Sequence, residues 1–545
     1  MSSSPELLEK DQSHHEKEPR IPRYRAHAQR PPGDGHLEAL RGTRLPRTCN
    51  SDQTWMSACV IHGIRHNHGF AMSETVRNFC LDSDDRAFAR ARNARLIMSN
   101  IVPDMMSGDE KPYCIWYPDV ASEETYRVLL TRYPDMLYLV GRACAVAGYA
   151  DLYSELGLLP EVSVAEEARD NSSNNGSKII FDNIMLQPVC YAILDDYARS
   201  INSRNPLSPA FMNGDTAVRS SLDVRLGLKD YKEWGKHYFN IAEDFNVDEF
   251  SSQKTNIEEV APEHIALFYT PLLSHLPTTN KDALILMAAY EGNIERYVRL
   301  RRPKMLHDEQ AAVIRGIYNN TTFAKWWSLQ KIDYGNYAIK TAVLARFIMV
   351  NDLSHIEPYT PTEAAMPHLI WWPLLPAEVT LRELVRRRPD MNLQVAMACI
   401  AGDYRDLWDE LAPKPCSELL DQATQKEQRS QRFPQSPRYP DSPNRNYYVE
   451  YLEKRARHLG MKPIELPRTC SECEDAAVRD KEPTTTFLDP WIIARRYAIV
   501  DSNPDECYYW GAGGQPNATS WELCICSSEE MRQEARVEEG LILYQ

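Results

Sequence analysis

The chain has 545 residues, 43% of them hydrophobic, with a formal net charge of -15 and 13 cysteines. That length exceeds what one compact core accommodates, so it demands several domains or extension by repetition. The acidic balance argues against nonspecific binding to nucleic acid, and an odd cysteine count argues against a disulfide framework. With no run of 18 apolar residues and no apolar stretch after the N-terminal charges, a soluble intracellular protein, cytoplasmic or nuclear, is expected.

Residues 1–50 are rich in Pro, Arg, His and Glu without periodicity, which predicts a disordered tail. Arg20, Arg23, Arg25, Arg30, Arg41, Arg44 and Arg47 make its second half basic. A solvated tail is favoured over a nuclear-import signal.

The dominant feature is a duplication. Ile115–Leu156 and Ile370–Leu411 are identical at 19 of 42 positions at a gapless offset of 255 residues. Upstream, Ala94–Asn100 answers Ala345–Asn351, and Val60–Ile64 with Asn67, Phe70 and Ala71 answers Val313–Ile317 with Asn320, Phe323 and Ala324. Weaker echoes at Ala476–Arg479, Trp491 and Tyr509–Trp510 suggest a decayed third copy. Self-similarity of this kind marks stacked units that bury their apolar faces only against neighbours.

Within the first copy, Glu123–Arg132 reads as a helix with acid early and base late, ended by Tyr133-Pro134. A close-packing helix follows from Met136, and a short one runs from Tyr149 to Leu156. Residues 157–185 read as a linker because Asp170–Ser177 offers nothing apolar to bury. Gln187–Ser200, with Val189, Ile193 and Tyr197 at helical spacing, is the best predicted helix of an unrepeated block. Gln425–Arg445 reads as a second linker, and Tyr447–Leu459 as a helix.

Asp282–Leu300 carries an apolar-Ala-Ala stretch (Leu286, Ala288, Ala289), a Gly292 turn, and Asn293, Ile294 and Val298. This resembles an ankyrin repeat, and Ala398–Tyr404 and Ala143–Tyr149 match more loosely. The Thr-Pro-Leu-His opening of that repeat is missing. The Ile-Trp-Trp-Pro segment and the segment around Gly316 and Trp326-Trp327 look like those of a fungal group of degenerate ankyrin-like interaction or regulatory proteins. The resemblance implies binding to another protein, such as a transcription factor, in regulating a fungal secondary metabolic pathway.

The expected fold is all-α: an ankyrin-like helical-repeat solenoid in two lobes plus a truncated third copy. Its parts are a disordered basic tail (1–50), copy one (51–160), a linker with the unrepeated block (161–281) and ankyrin-like helices with copy two (282–415). A disordered linker (416–445) and the decayed copy or cap (446–545) complete it. The expected function is a non-enzymatic scaffold with a protein partner, without membrane, nucleic acid, small-molecule substrate or cofactor. The alternative is an enzyme or accessory subunit with its site in the unrepeated block, residues 180–276.

No catalytic constellation stands out. His62, His66 and His68 have a spacing that could share an ion, but copy two has Arg315, Asn319 and Thr321 there, which argues against a metal. Cys470 and Cys473, with Cys507, Cys524 and Cys526, form a stronger zinc-like pattern, still weaker than free thiols. Trp510–Gly514 lacks the Lys-Ser/Thr of a phosphate loop. Asp195-Asp196 and Glu123-Glu124 read as solvated helix charge. Trp116, Trp371 and Trp372 read as packing rather than as partner anchors. Arg386–Arg388, with Arg299, Arg301 and Arg302, could bind an acidic segment or cap a helix.

Overall fold

The computed structural model describes residues 35–47, 54–214, 244, 266–267, 270–278, 281–303, 305, 309–331, 337–358, 366–367, 369–371, 373–424 and 444–461. The described chain is mostly helical. Lobe one comprises α1 (His36–Leu40), α2 (Thr54–His66), α3 (His68–Met72), α4 (Glu74–Asp82), α5 (Arg86–Met98), α6 (Glu123–Arg132), α7 (Leu137–Ala147), α8 (Ala150–Glu155), α9 (Val162–Asp170) and α10 (Asn175–Met185). A small hairpin follows, with β1 (Leu194–Asp195) antiparallel to β2 (Ser200–Ile201). Lobe two comprises α11 (Asp282–Glu291), α12 (Ile294–Leu300), α13 (Glu309–Asn319), α14 (Thr321–Ser328), α15 (Tyr337–Met349), α16 (Glu378–Arg387), α17 (Asn392–Gly402), α18 (Arg405–Leu411), α19 (Ser417–Thr424) and α20 (Arg445–His458).

The duplication is visible in individual bonds. Asn100 and Asn351 both adopt a left-handed backbone, φ 64° and 65°, which asparagine tolerates better than most residues. Asn100 Oδ1 accepts from the Ser122 amide at 2.8 Å and the Thr125 hydroxyl at 2.9 Å. Asn351 Oδ1 accepts from the Ala377 amide at 2.7 Å and the Thr380 hydroxyl at 2.9 Å. Each asparagine thus clamps the start of α6 or α16. Arg127 pairs with Glu123 and Glu155, and Arg382 with Glu378 and Glu410. The Tyr149 and Tyr404 hydroxyls donate to Ala121 O and Pro376 O at 3.1 and 3.0 Å.

The shared unit is longer than the sequence match. A Cβ on Gly63 would stand 1.8 Å from Ala39 O, and one on Gly316 would stand 2.0 Å from Ala289 O. Only glycine allows either pair of backbones to touch, so α1 sits on α2 as the end of α11 sits on α13. Downstream, α9 packs on α7 and α10, as α19 packs on α17 and α20. Asn174 Nδ2 ties α10 to Ala147 O at 2.9 Å, and Asn444 Nδ2 ties α20 to Asp403 Oδ2 at 2.8 Å.

Several expectations are corrected. The supposed disordered tail, 1–50, contains α1, whose Ala39 is wholly buried. The supposed linker of 157–185 is two helices. The Glu161 and Asn174 side chains cap their N-termini, and Val164, Ala165, Ala168, Ile180 and Ile184 form their buried faces. The polar run Asp170–Ser177 serves the turn between them. Likewise 416–445 begins with α19. Gln187–Ser200 is not a helix: the Asp195 carboxylate accepts from the Tyr197 and Ala198 amides at 2.9 and 3.1 Å. That local turn defeats the helical spacing. The predicted third copy, with Cys470, Cys473, Trp491 and Trp510, lies outside the described residues, as does Trp372. Within the described lobes no β-hairpin joins successive helix pairs.

Trp116, Trp371 and Trp327 are core residues, as expected for packing. The Cys59, Cys144 and Cys399 side chains are buried and form no disulfide, and burial raises the Cys144 pKa to about 12 and raises that of Cys399 as well. Such thiols pack as small hydrophobes rather than react.

Candidate functional site

Lobe one carries a layer of buried charge at positions where lobe two has uncharged residues. Arg142 lies midway along α7 in an otherwise apolar, small-residue helix, Leu137–Ala147, and is 3% exposed. Its Nε and Nη2 donate to Glu167 Oε1 on α9 at 3.1 and 2.9 Å. Nη1 and Nη2 donate to the two oxygens of Asp196, in the hairpin turn, at 2.6 and 3.1 Å. The guanidinium lies 4.7 Å above the Trp116 ring centroid. Burial opposes its charge, but Asp196 and Glu167 outweigh burial and hold its pKa well above the arginine norm. Asp196, expected to be solvated on a helix, is therefore the hairpin's anchor.

A second charged centre adjoins it. The Tyr113 hydroxyl donates to Asp196 Oδ1 at 3.1 Å, while the Tyr113 amide donates to Asp244 Oδ2 at 2.8 Å. Asp244 Oδ1 lies 3.4 Å from Arg199 Nη1 and 3.9 Å from Arg90 Nε. Arg199 Nη1 also donates to Asp244 O at 2.9 Å. Arg65 is wholly buried. Its Nη2 donates to Cys114 O and Tyr117 O at 3.0 and 2.8 Å, while Nε and Nη1 have no hydrogen-bond partner among the described residues. Burial raises the Asp244 pKa even though Arg90, Arg65 and Arg199 pull it down.

Lobe two acts as an internal control. At the positions of Arg65, Arg90, Arg142 and Glu167 it has Tyr318, Thr341, Met397 and Gln422. The Tyr318 hydroxyl donates to Leu369 O at 3.1 Å, the carbonyl corresponding to Cys114 O. The same scaffold therefore closes without the charges. The core follows suit: the apolar core of lobe two belongs to one continuous cluster running from Leu267 to Leu452, whereas the apolar core of lobe one is divided in two. Arg65, on the helix of one cluster and bonded to the loop of the other, stands at the division.

Glu161 is a further buried acid. It caps α9, with Oε2 accepting from the Val164 amide at 2.8 Å and Oε1 from the Ile193 and Leu194 amides at 3.4 Å. Burial, only partly countered by the Val164 bond and Arg142, raises its pKa from 4.5 to about 7. A raised carboxyl pKa favours the folded state fully below 4.5, and that advantage disappears as pH rises through about 7. Glu161→Gln keeps the cap acceptor and removes the titration. Relative to this variant, the wild type is expected to lose about 3 kcal/mol of stability between acidic and mildly alkaline pH. Urea titrations at several pH values check this, and parallel curves for the two proteins would refute it.

The residues singled out in the sequence fall elsewhere. The His62 and His66 rings stack with centroids 3.8 Å apart, while His68 Nδ1 meets Ser99 Oγ at 3.0 Å. Among the described residues no three His, Cys, Asp or Glu side chains are grouped to hold a metal ion. Arg386 and Arg387 bind Glu383 on their own helix, and Arg388 binds Asp390. Arg299 lies over the Phe211 ring and Arg301 over Trp326. A shallow depression of about 340 Å³ on lobe two is lined by Asn351, Leu353, Thr380, Glu383 and Arg387. The sequence reading missed the arginine layer. Its one signal is a lone Arg142 in an apolar helix, at the position where the second copy has Met397.

Fold and site together define a mostly helical protein in which matching bonds recur in two stretches, with a charged layer in the first of them. The family described as the YKP1 C-terminal domain matches residues 116–230. That window contains Arg142, Glu161, Glu167, Asp196 and Arg199, and it stops short of lobe two. The uncharacterized killer plasmid pGKl-2 protein 1 of Kluyveromyces lactis is similar, at 21% identity over 137 residues. The alignment covers 25% of this chain and 59% of that relative, so the chain spans less than two thirds of its length. No solved structure matches. Among the described residues no helix is long and apolar enough to cross a membrane.

Proposed function

We propose that the protein is a non-enzymatic helical-repeat scaffold whose two ankyrin-like lobes bind another protein along their stacked helices. The observation that carries this reading is the recurrence of the same clamps in both lobes, Asn100 with Thr125 and Asn351 with Thr380. Stacked units of this kind hold an extended outer face in a fixed shape, which suits recognition of a macromolecule. The ion pairs of Arg142 fit the same reading, because they fasten the hairpin to α7 and α9. A role with a transcription factor in a fungal cell follows from the ankyrin-like resemblance.

The test is affinity capture of the tagged full-length protein from its own cells, followed by reconstitution with each purified candidate. A stoichiometric complex that survives gel filtration is expected. Absence of any such complex, together with turnover of a small molecule by the purified chain, would replace this reading with an enzyme.

A further inference from the structure

We propose that the seam between the two lobes is a proton-sensitive latch, closed while His275 is neutral and loosened when the His275 ring takes up a second proton. The latch stands whether or not the lobes bind a partner.

The seam consists of two non-helical segments, 211–214 and 270–278. Among the described residues no helix of lobe one packs extensively on a helix of lobe two, so these segments carry the junction. Met212 belongs to the apolar core of lobe one and Leu276 to that of lobe two. Two bonds cross between them: the Leu276 amide donates to Met212 O at 2.9 Å, and the Met212 amide donates to His275 Nδ1 at 3.2 Å. Helices of both lobes pin the segments in place. On α9, Glu166 Oε1 accepts from the Asn213 and Gly214 amides at 2.7 and 2.9 Å. Arg169, on the same helix, donates to Leu276 O at 2.7 Å and to Thr278 Oγ1 at 2.9 Å. On α12, Arg299 donates to Met212 O and Ser274 O, and its own carbonyl accepts from Asn213 Nδ2 at 3.1 Å.

An amide N–H donates only to a ring nitrogen that carries no proton, so the closed seam requires neutral His275 with its hydrogen on Nε2. A second proton, on Nδ1, sets two N–H groups against each other and leaves the Met212 amide without its acceptor. It also adds positive charge where the neighbours are already cationic. Arg299 from α12 and Arg169 from α9 face the ring, and Arg299 also lies over Phe211, whose ring centroid is 5.6 Å from that of His275. The nearby carboxylates are engaged, Glu166 by the two amides and Asp170 by Arg169 and the Thr278 hydroxyl. Arg296, the other cation of α12 at this segment, donates to Leu267 O and Thr270 O. Burial, Arg299 and Arg169 together hold the His275 pKa below the ordinary 6.5. A lowered histidine pKa favours the closed seam fully above 6.5, and that advantage is lost as pH falls below it.

The test is hydrogen exchange of the full-length chain, read by mass spectrometry on peptides spanning 207–214 and 271–278, with peptides from α7 and α17 as internal controls. His275→Asn keeps an acceptor close to the Nδ1 position and removes the titration. Comparing it with wild type at one pH cancels the intrinsic pH dependence of exchange. At about pH 7.5 the two proteins are expected to exchange alike. At about pH 5.5, one unit below the ordinary histidine value, the wild-type seam is expected to exchange up to about tenfold faster than the variant's, with α7 and α17 unchanged. His275→Lys, a fixed cation, is expected to exchange fast in the seam at both pH values. The inference is overturned if wild type and His275→Asn exchange alike in the seam at about pH 5.5, or if α7 and α17 speed up equally with it. It is also overturned if His275→Lys leaves the seam as protected as wild type at about pH 7.5. Should His275→Asn fail to close the seam at neutral pH, the wild type alone decides, through the ratio of seam exchange to α7 exchange. A rise in that ratio on acidification supports the latch, and a constant ratio overturns it.

Discussion

Arg142→Met is expected to destabilise lobe one by about 3–5 kcal/mol, the usual penalty for stranding the partners of a buried ion pair. The side chain removed is 3% exposed, and its departure leaves Glu167 and Asp196 enclosed without their cation. The effect belongs to the stranded carboxylates more than to the lost arginine. A second step separates the two: Arg142→Met combined with Glu167→Gln and Asp196→Asn is expected to recover most of the loss. Met397 and Gln422 already coexist at the two corresponding positions of lobe two. Urea denaturation of the single and triple variants measures this. A triple variant as unstable as the single one would show that Arg142 contributes through its stacking on Trp116 instead.

Trp371→Ala is expected to cost about 3–5 kcal/mol by opening a large cavity in a core that cannot collapse around it. Trp371 is wholly buried within the continuous apolar cluster of lobe two, with Ile370, Leu381 and Leu384. Trp371→Phe restores part of the volume and should cost about half as much. The check is again the denaturation midpoint, followed through near-ultraviolet circular dichroism. An alanine variant within about 1 kcal/mol of wild type would mean the tryptophan serves a surface rather than the core.

These two expectations rest on different kinds of legibility. Trp371 was visible in the sequence because it recurs with its neighbours: the pair Trp116 and Trp371 sits in a repeated Ile-Trp-x-Pro segment. Arg142 was barely visible. One charged residue in an apolar helix looks like a surface excursion until its partners are known, and those partners lie 25 and 54 positions away. Asp195-Asp196 misled for a related reason, since adjacent acids carry no mark of which one turns inward.

The sequence by itself determined the duplication, the helical character and many helix boundaries, including Glu123–Arg132. Those features are local: period, capping residue and proline position act within a few residues, and an offset copy repeats them. Tertiary structure alone decided that α1, α9 and α10 belong to the repeat, and that Gln187–Ser200 turns back as a hairpin. It also brought Arg90 and Arg199 to a single carboxylate at Asp244. Contacts between residues scores of positions apart leave no periodic trace, because burial and charge pairing depend on which surfaces meet rather than on spacing along the chain.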